Sequence, residues 1–442
     1  MHAFIANNVV PTVPVDQRVR RWLDLADQGA PFKFLHEVAE TEDEISVIES
    51  DKNGNRIALI LHIESKPRLM IQGIQLVPAF RLEGVSPELG KWTDLNSLAK
   101  KLLAKTHSPG IGIAVMQSGT TRVAVAGVRK INTSDAVQAN DVWSIGSIGK
   151  SICSTVIGRL IEQGKLRWEE TLKQAMPDIP MSDGYERVTL EQVMHHRGGI
   201  PADLGFTRPE VQRIIGKTTV PLAIRDAYVR DILSRKPSAG PDSRFIYSNA
   251  GYALLSHIAE LTAQKPYEAL VRELVFKPLG LTHSFTGIDA LPKARPSGHF
   301  ESAKSLKVGD MSGPMEYMFA GAGGGMFMSV GDLAKFGQFH LNGLRGQNGM
   351  LMATTINRLH RGTPEQPGGG QLYACGWGIQ SLPGIQEFHG HNGSNGTMRA
   401  ELAIFPGADL VVVGIVNRGG EDEPAPGMQA VLALASRYAS SK

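Results

Sequence analysis

The chain has 442 residues, about three times the common single-domain length of roughly 150, so it can bury a sizeable core. Apolar residues make up 42% of the chain and charged residues 20%, a balance that excludes disorder of the whole chain. The formal net charge of +3 is too small for a dedicated nucleic-acid binder, and we expect no nucleic-acid partner.

The cysteine count and the apolar runs exclude further classes of protein. Only Cys153 and Cys375 are present, which excludes a disulfide-rich scaffold and leaves open whether the two pair. No apolar run reaches about 18 residues, so we expect no membrane span. The first residues show no secretory signal, which favours a cytoplasmic protein, or a periplasmic or secreted one if a signal peptide has been removed. The oligomeric state stays open, with a homodimer as one option.

Residues 1–90 predict a small α+β domain followed by a polar connector. Helical spacing of apolar residues near position 20 precedes three runs that are typical of strands. A helix followed by a meander of strands resembles the cone-shaped NTF2-like domains, although no residue motif secures that name. His36 beside Glu37 is the only adjacent acid–base pair of this unit, and we expect it at a solvated helix end. The predicted strands are 44–49, 56–63 and 69–77.

Residues 91–442 predict a second, larger domain. Its strand patterns lie at both ends of the segment, with a long helix-rich middle between them. This order predicts the α/β (α+β) class: one sheet built from distant segments, with helices between and after the strands and an inserted helical lobe. The predicted strands are 111–116, 122–126, 399–405 and 410–416, and the predicted closing helix is 427–438.

The segment around Ser147 carries the strongest chemical signal. Gly149-Lys150-Ser151 copies the end of a phosphate-binding loop, but that pattern needs glycine at position 144, where this chain has serine. The other interpretation is Ser147-x-x-Lys150 at a helix start, where the i, i+3 spacing puts both side chains on one face. Serine becomes a nucleophile when a base takes its proton, and lysine is that base only if its pKa falls well below about 10.4. Alone this motif is weak, because a capping serine beside a solvated lysine is a common alternative.

Two later motifs support the interpretation of Ser147 and Lys150 as a catalytic pair. Tyr247-x-Asn249 leads into an apolar helical run, and His391-x-Gly393 precedes the C-terminal strands. With these three motifs in this order, the chain resembles serine β-lactamase-like and penicillin-binding-protein-like hydrolases, closest to the branch of class C β-lactamases, family VIII-type esterases and D-amino-acid peptidases. The resemblance covers about residues 100–440 and implies a β-lactamase-like antiparallel fold that needs no cofactor and no metal.

The resemblance also implies a role for each motif residue. Ser147 would be the acylated nucleophile and Lys150 its proton partner. Tyr247 would carry the proton to the leaving group and later activate water. Asn249 would orient the substrate carbonyl. The oxyanion hole would consist of the backbone N–H groups of Ser147 and Ser394.

The residues at the His391 edge of the site, His391 and Asn392, differ from those of many relatives. They carry lysine at this position and a hydroxyl residue where this chain has Asn392, while Gly393 follows the pattern. A histidine near its ordinary pKa of about 6.5 is mostly neutral at pH 7 and becomes charged towards pH 5.5. It therefore supplies less positive potential for a substrate carboxylate than lysine does. Both departures weaken the case for β-lactam hydrolysis.

Other aromatic and histidine residues allow two interpretations each. Tyr373, Trp377 and Phe388 fit a substrate pocket as well as the core. His195-His196 is predicted to pack in a turn, with one ring reaching the cleft as the alternative. His389 beside His391 lacks a third zinc ligand at a useful spacing.

We therefore expect a metal-free serine hydrolase that forms an acyl-enzyme with a small-molecule ester, amide or lactam. Carboxylesterase activity on small acyl esters is the first choice. A D-amino-acid peptidase or DD-peptidase, or a weak β-lactamase, is the alternative within the same class. A penicillin- or peptide-binding sensor that acylates without turnover is the alternative from another class.

Overall fold

A run of seven buried residues, Leu410–Val416, lies at the centre of the largest sheet. Most of its residues are β-branched, which favours strands that are covered on both faces. The computed structural model describes residues 2–11, 14–20, 23, 31–41, 43–51, 56–64, 70–83, 90–202, 207–302, 305–309, 313–365, 371–420 and 426–440.

Within these residues the strands form four antiparallel sheets. In chain order the strands are β1 (Lys33–Glu40), β2 (Glu44–Ser50), β3 (Arg56–Glu64), β4 (Met70–Pro78), β5 (Gly110–Gln117), β6 (Thr120–Gly127), β7 (Trp143–Ser144), β8 (Ser284–Thr286), β9 (His299–Ser302), β10 (Ser305–Val308), β11 (Met326–Met328), β12 (Thr363–Pro364), β13 (Leu372–Tyr373), β14 (Gly378–Leu382), β15 (Ile385–Ser394), β16 (Arg399–Phe405) and β17 (Leu410–Val416). The sheet orders are β1-β2-β3-β4, β10-β9, β7-β11-β8 and β12-β13-β14-β15-β16-β17-β5-β6.

The eight-stranded sheet joins the two ends of the larger unit. Strand β5 pairs with β17 in antiparallel register, with Val115 opposite Val412. The β5–β6 hairpin turns where the sequence predicts it, between Gln117 and Thr120. The predicted sheet of distant segments is therefore confirmed, and β16 and β17 have the predicted bounds.

Helices cover both faces of this sheet. The α-helices with described bounds are α1 (His2–Asn8), α2 (Phe80–Glu83), α3 (Leu95–Thr106), α4 (Gly149–Glu162), α5 (Leu172–Ala175), α6 (Leu190–Met194), α7 (Arg208–Ile215), α8 (Pro221–Ser234), α9 (Asn249–Ala263), α10 (Tyr267–Val271), α11 (Pro314–Met318), α12 (Val330–Leu344), α13 (Ala353–Leu359) and α14 (Pro426–Tyr438). Helices α3 and α14 pack on one face, and the helical lobe with α4 and α12 packs on the other. None of the described helices combines the length and the apolar character that a membrane span requires.

A buried ion-pair cluster holds the helical lobe together. The Arg225 guanidinium on α8 lies against the carboxylates of Glu260 on α9 and Glu268 on α10. The Arg225 and Glu260 side chains are fully buried, so removal of Arg225 would leave the Glu260 carboxylate without its cation, at a cost of about 3–5 kcal/mol. This cluster fixes α9, the helix that begins at Asn249.

The N-terminal unit forms the four-stranded sheet and differs from the prediction in one strand. His36 and Glu37 lie in β1 and not at a helix end, so that prediction is wrong. Strand β1 is an edge strand with mostly exposed side chains, and it therefore lacks the alternation that marks a half-buried strand. The connector is only partly within the described residues. The NTF2-like likeness and the division into 1–90 and 91–442 stay predictions.

Candidate active site

The segment that carries Ser147 is shaped by glycines. Gly146 has a φ of +48°, and a Cβ there would lie 2.4 Å from the backbone nitrogen of Ser394. A Cβ on Gly149, the first residue of α4, would lie 2.3 Å from Cα of Gly323. Two backbone segments therefore approach the Gly146–Ile148 turn at distances that only glycine allows. The turn presents Ser147 partly exposed at the start of a buried helix.

Lys150 lies one turn further along this helix and is fully buried. Its Nζ is 3.0 Å from Oγ of Ser147, 2.7 Å from Oδ1 of Asn249 and 3.4 Å from the carbonyl oxygen of Ala322. A neutral amine has two N–H donors and one lone pair. The two carbonyl oxygens accept the donors, which leaves the lone pair for the hydroxyl proton of Ser147.

Burial lowers the pKa of Lys150 from its ordinary 10.5 to about 7. The rings of Tyr247 and Tyr252 lie 4.7 and 5.7 Å from Nζ and favour the charged form, but desolvation outweighs them. A large fraction of Lys150 is therefore neutral near pH 7. The structure meets the condition under which lysine can act as the base for a serine.

Tyr247 and Asn249 are placed by the start of α9. Ser248 caps this helix: its Oγ accepts a hydrogen bond from the N–H of Gly251 at 2.9 Å. The N–H of Ser248 donates to Nδ1 of His196 at 3.1 Å. This cap orients Asn249 towards Lys150 and leaves Tyr247 beside Ser147, with which it shares a hydrogen bond.

Desolvation raises the pKa of Tyr247 well above its ordinary value, and the hydrogen bond with Ser147 only partly offsets this rise. The phenol is therefore protonated at neutral pH. A protonated Tyr247 beside a neutral Lys150 assigns different tasks to the two groups. Lys150 is suited to accept a proton, and Tyr247 is suited to donate one.

The end of β15 lies against the serine turn. A Cβ on Gly393 would be 1.9 Å from the carbonyl oxygen of Ile145 and 2.9 Å from the backbone nitrogen of Ser147. A Cβ on Gly146 would likewise lie 2.4 Å from the backbone nitrogen of Ser394. The N–H groups of Ser147 and Ser394, the predicted oxyanion donors, thus belong to two backbone segments in direct contact.

His391 is held as a neutral imidazole. Its Nδ1 donates to the carbonyl oxygen of Asn392, so its Nε2 accepts from the hydroxyl of Tyr373 at 3.0 Å. Burial and the nearby Lys150 lower the pKa of His391 to about 3. The expectation that His391 becomes charged towards pH 5.5 is therefore wrong, because the sequence does not show how deeply the ring is buried.

A cavity of about 430 Å³ opens beside these groups. Tyr247 and His391 line it, whereas Ser147 does not, so the cavity meets the reactive centre through these two side chains. Its other lining residues are Phe80, Arg81, Phe245, Glu365, Gln371, Tyr373, Gly378, Gln380, Phe388, Gly390, Asn392, Arg399, Glu401, Leu402, Ala403 and Met428.

Two further parts of this site lie outside the motifs. The His196 ring lies 4.5 Å from that of Tyr247 and 4.8 Å from that of Tyr373, but it is buried and does not line the cavity, so it packs in its turn as predicted. Phe80 and Arg81 reach the cavity from the N-terminal unit, and no motif marks them. Of the three ambiguous aromatic residues, Tyr373 and Phe388 line the cavity, while Trp377 is fully buried.

The remaining candidates lie outside the site. His389 is linked by hydrogen bonds of 3.0 Å through His360 to His340 in a buried chain, and the described residues contain no cluster suited to a metal ion. Cys153 and Cys375 are both buried and free. The two cysteines therefore do not form a disulfide bond with each other.

Comparisons with known proteins agree with the predicted family and fold. The family model described as beta-lactamase matches residues 95–437. Penicillin-binding protein 4 from Amycolatopsis lactamdurans is 24% identical over 332 residues, which cover 72% of this chain and 83% of that protein. A beta-lactamase from Pseudomonas fluorescens is 25% identical over 219 residues, covering 48% of this chain and 56% of that protein. The octameric penicillin-binding protein homologue from Pyrococcus abyssi has a TM-score of 0.64 at 24% identity, covering 76% of this chain and 75% of that chain. The predicted β-lactamase-like antiparallel fold is confirmed.

The pKa of Lys150 predicts that the rate of serine acylation decreases as the pH falls below about 7. Protonated Lys150 cannot accept the Ser147 proton, so the rate should fall about tenfold per pH unit below a midpoint near pH 7. The acylation rate is measured as the burst of p-nitrophenol released from p-nitrophenyl acetate, recorded by stopped flow between pH 5 and 9. Tyr247→Phe keeps the ring beside Lys150 and should lower the burst rate without moving the midpoint. A rate that does not change through pH 7 would contradict this assignment.

The contact at Gly393 predicts a loss of rate on adding one methyl group. Gly393→Ala must displace β15 from the serine turn and so separate the two backbone donors. We expect kcat to fall about 10²–10³-fold, the effect of losing one oxyanion donor. Gly331→Ala is the matched control, since its Cβ would meet no atom closer than 3.7 Å. Equal kcat values for the two variants, with both folded by circular dichroism, would exclude an oxyanion role for this contact.

Proposed function

The chain belongs to the beta-lactamase family, and on that premise we propose that it is a serine hydrolase which forms an acyl-enzyme and acts best on small acyl esters. The observation that carries the proposal is the buried amine of Lys150, with its pKa near 7, at 3.0 Å from Oγ of Ser147. A neutral base within hydrogen-bond distance of a serine at a helix start is the arrangement that nucleophilic catalysis needs.

Acylation follows from the protonation states of the three groups. Ser147 Oγ attacks the carbonyl carbon of the ester while its proton passes to the Lys150 amine. The negative charge on the carbonyl oxygen is stabilised by the N–H groups of Ser147 and Ser394. When the carbon–oxygen bond to the leaving alcohol breaks, Tyr247 donates its phenol proton to that oxygen. The proton on Lys150 then restores Tyr247, whose ring lies beside Nζ.

Deacylation uses the same groups in reverse. Water attacks the acyl carbon and gives its proton to the Tyr247–Lys150 pair, and the Ser147–acyl bond breaks as Ser147 regains a proton. Asn249, which accepts a hydrogen bond from Lys150, keeps the amine in place through both steps. The carboxylic acid and the free serine are the products.

The neutral edge at His391 favours esters over β-lactams. A penicillin carries a carboxylate, and a buried imidazole with a pKa near 3 supplies no positive charge to bind it. Both ring nitrogens already have partners in Tyr373 and Asn392. A neutral acyl ester needs no cation at this edge.

Hydrolysis of peptide-like amides is the second candidate. The cavity is lined by Arg81 and Arg399 as well as by Glu365 and Glu401. Groups of both signs suit the charged ends of an amino acid or short peptide better than they suit a simple ester. A panel of p-nitrophenyl butyrate, nitrocefin and D-alanyl peptides separates the three activities by kcat/KM.

A fluorophosphonate probe tests the nucleophile. We expect it to label Ser147, identified by mass spectrometry of the modified peptide, because Lys150 activates that hydroxyl. Ser147→Ala should abolish labelling and ester turnover while the fold stays intact. Ser151 lies four residues after Ser147, and its hydroxyl donates a hydrogen bond to the carbonyl oxygen of Gly376. It gives the control variant Ser151→Ala, in which Ser147 should still be labelled. Labelling of another serine would refute the assignment, and one acylation without turnover would indicate a sensor.

Substitution of His391 tests the preference for esters. His391→Lys replaces the imidazole by an amine with a higher ordinary pKa, about 10.4. It should raise the ratio of kcat/KM for nitrocefin to that for p-nitrophenyl butyrate by about 5- to 100-fold. In the wild type this ratio should be the same at pH 7 and pH 5.5, because His391 stays neutral at both. An unchanged ratio in a variant with normal ester activity would mean that this edge does not face the substrate carboxylate.

A further inference from the structure

The cavity wall contains residues from outside the family region. Phe80 and Arg81 lie in α2, before the matched residues 95–437, and both line the cavity that Tyr247 and His391 share. The site is therefore bounded on one side by the N-terminal unit. No group from this unit takes part in the proposed chemistry.

Helix α2 makes polar contacts with the N-terminal sheet on one side and with the large sheet on the other, and these contacts position Phe80. Ala79 is buried, and its N–H donates to the carbonyl oxygen of Arg56 at 3.2 Å. Glu83 forms an ion pair with Arg56, and one of its carboxylate oxygens lies 2.9 Å from Nε2 of His36. On the other side, Arg81 donates to Oε1 of Gln371 at 3.4 Å, next to β13 of the large sheet. The contacts join the N-terminal sheet to the edge of the large sheet beside the cavity.

The side chains near Phe80 form an apolar end of the cavity. Phe80 and Met428 pack against the core cluster that contains Phe388, and all three residues line the cavity. Gly378 and Gly390, which pair across β14 and β15, also line the cavity. The same cavity is lined by Tyr247 and His391 beside the reactive centre.

We propose that the N-terminal unit selects the substrate: Phe80, with Phe388 and Met428, binds an apolar group of the substrate, of chain or ring size, at the end remote from the scissile bond. This proposal rests on the proposed hydrolysis at Ser147 and adds a substrate class, namely esters with a medium-sized apolar group. Arg81 acts as a positioning residue that fastens α2 to Gln371. Burial of a six-carbon chain against these side chains favours longer esters over acetate.

Three simple esters test the proposal and identify the side of the bond that lies against Phe80. Ethyl hexanoate and hexyl acetate are isomers that carry the apolar chain on the acyl side and on the alcohol side, and ethyl acetate is the short reference. In Phe80→Ala, kcat/KM should fall about 5- to 30-fold for one of the two isomers and less than about twofold for ethyl acetate. A pH-stat measures all three. Phe34→Ala is the matched control, because Phe34 belongs to the same unit but is 59% exposed.

A second variant covers the case in which Phe80→Ala destabilises the fold. Phe80→Trp fills the apolar end and should lower kcat/KM for the affected hexyl or hexanoyl ester while ethyl acetate is hydrolysed normally. Equal losses on all three esters in both variants, or no loss on either isomer, would overturn the proposal.

Binding to Ser147→Ala separates this inference from the proposed function. Calorimetry with the same three esters should show tighter binding of the affected isomer than of ethyl acetate, and Phe80→Ala in the Ser147→Ala background should remove that difference. Selective binding without turnover in the wild type would reject the proposed hydrolysis and support the apolar site. Turnover of the esters without any effect of chain length on binding would support the proposed hydrolysis and reject the apolar site.

Discussion

The burial of the Lys150 amine is the constraint on which the rest of the site depends. Its pKa is about 7 in the folded chain and 10.5 when unperturbed, so between these values the unfolded chain binds more protons. The stability of the fold therefore rises with pH across that window, and below pH 7 the charged, desolvated amine costs stability. The fold tolerates this cost because the two carbonyl oxygens of Asn249 and Ala322 satisfy the amine. The same desolvation makes the amine a base.

Neutral groups surround this amine, and their neutrality has one common cause. Burial raises the pKa of Tyr247 and lowers those of His196 and His391, and Lys150 adds to the lowering for both histidines. A charged His391 would in turn keep Lys150 neutral to a lower pH, but burial keeps His391 uncharged. The site thus holds one group that titrates near pH 7. Charged groups of the cavity, Arg81, Arg399, Glu365 and Glu401, lie outside this neutral centre.

How much the sequence predicts depends on whether a residue acts within one element or between elements. Ser147 and Lys150 lie on one helical face, so their spacing alone predicts that they meet. Tyr247 and His391 come to them from distant segments, and only the family resemblance indicates their approach. The burial of His391 and the contact of Phe80 with the cavity arise where separate elements pack, and no local pattern encodes them. Strand β1 is not predicted because its side chains are mostly exposed, and an exposed edge strand has no alternation of apolar residues to detect.

The glycines that shape the serine turn all lie within the matched family region. Gly146, Gly149 and Gly393 bring backbone segments of the family fold into contact around Ser147, so that the chemistry is built entirely from within that fold. Phe80 lies before the matched family region and borders the cavity that Tyr247 and His391 also line. None of the groups proposed for acylation lies before residue 95. A substitution at Phe80 would therefore alter the cavity wall while the residues around Ser147 stay the same.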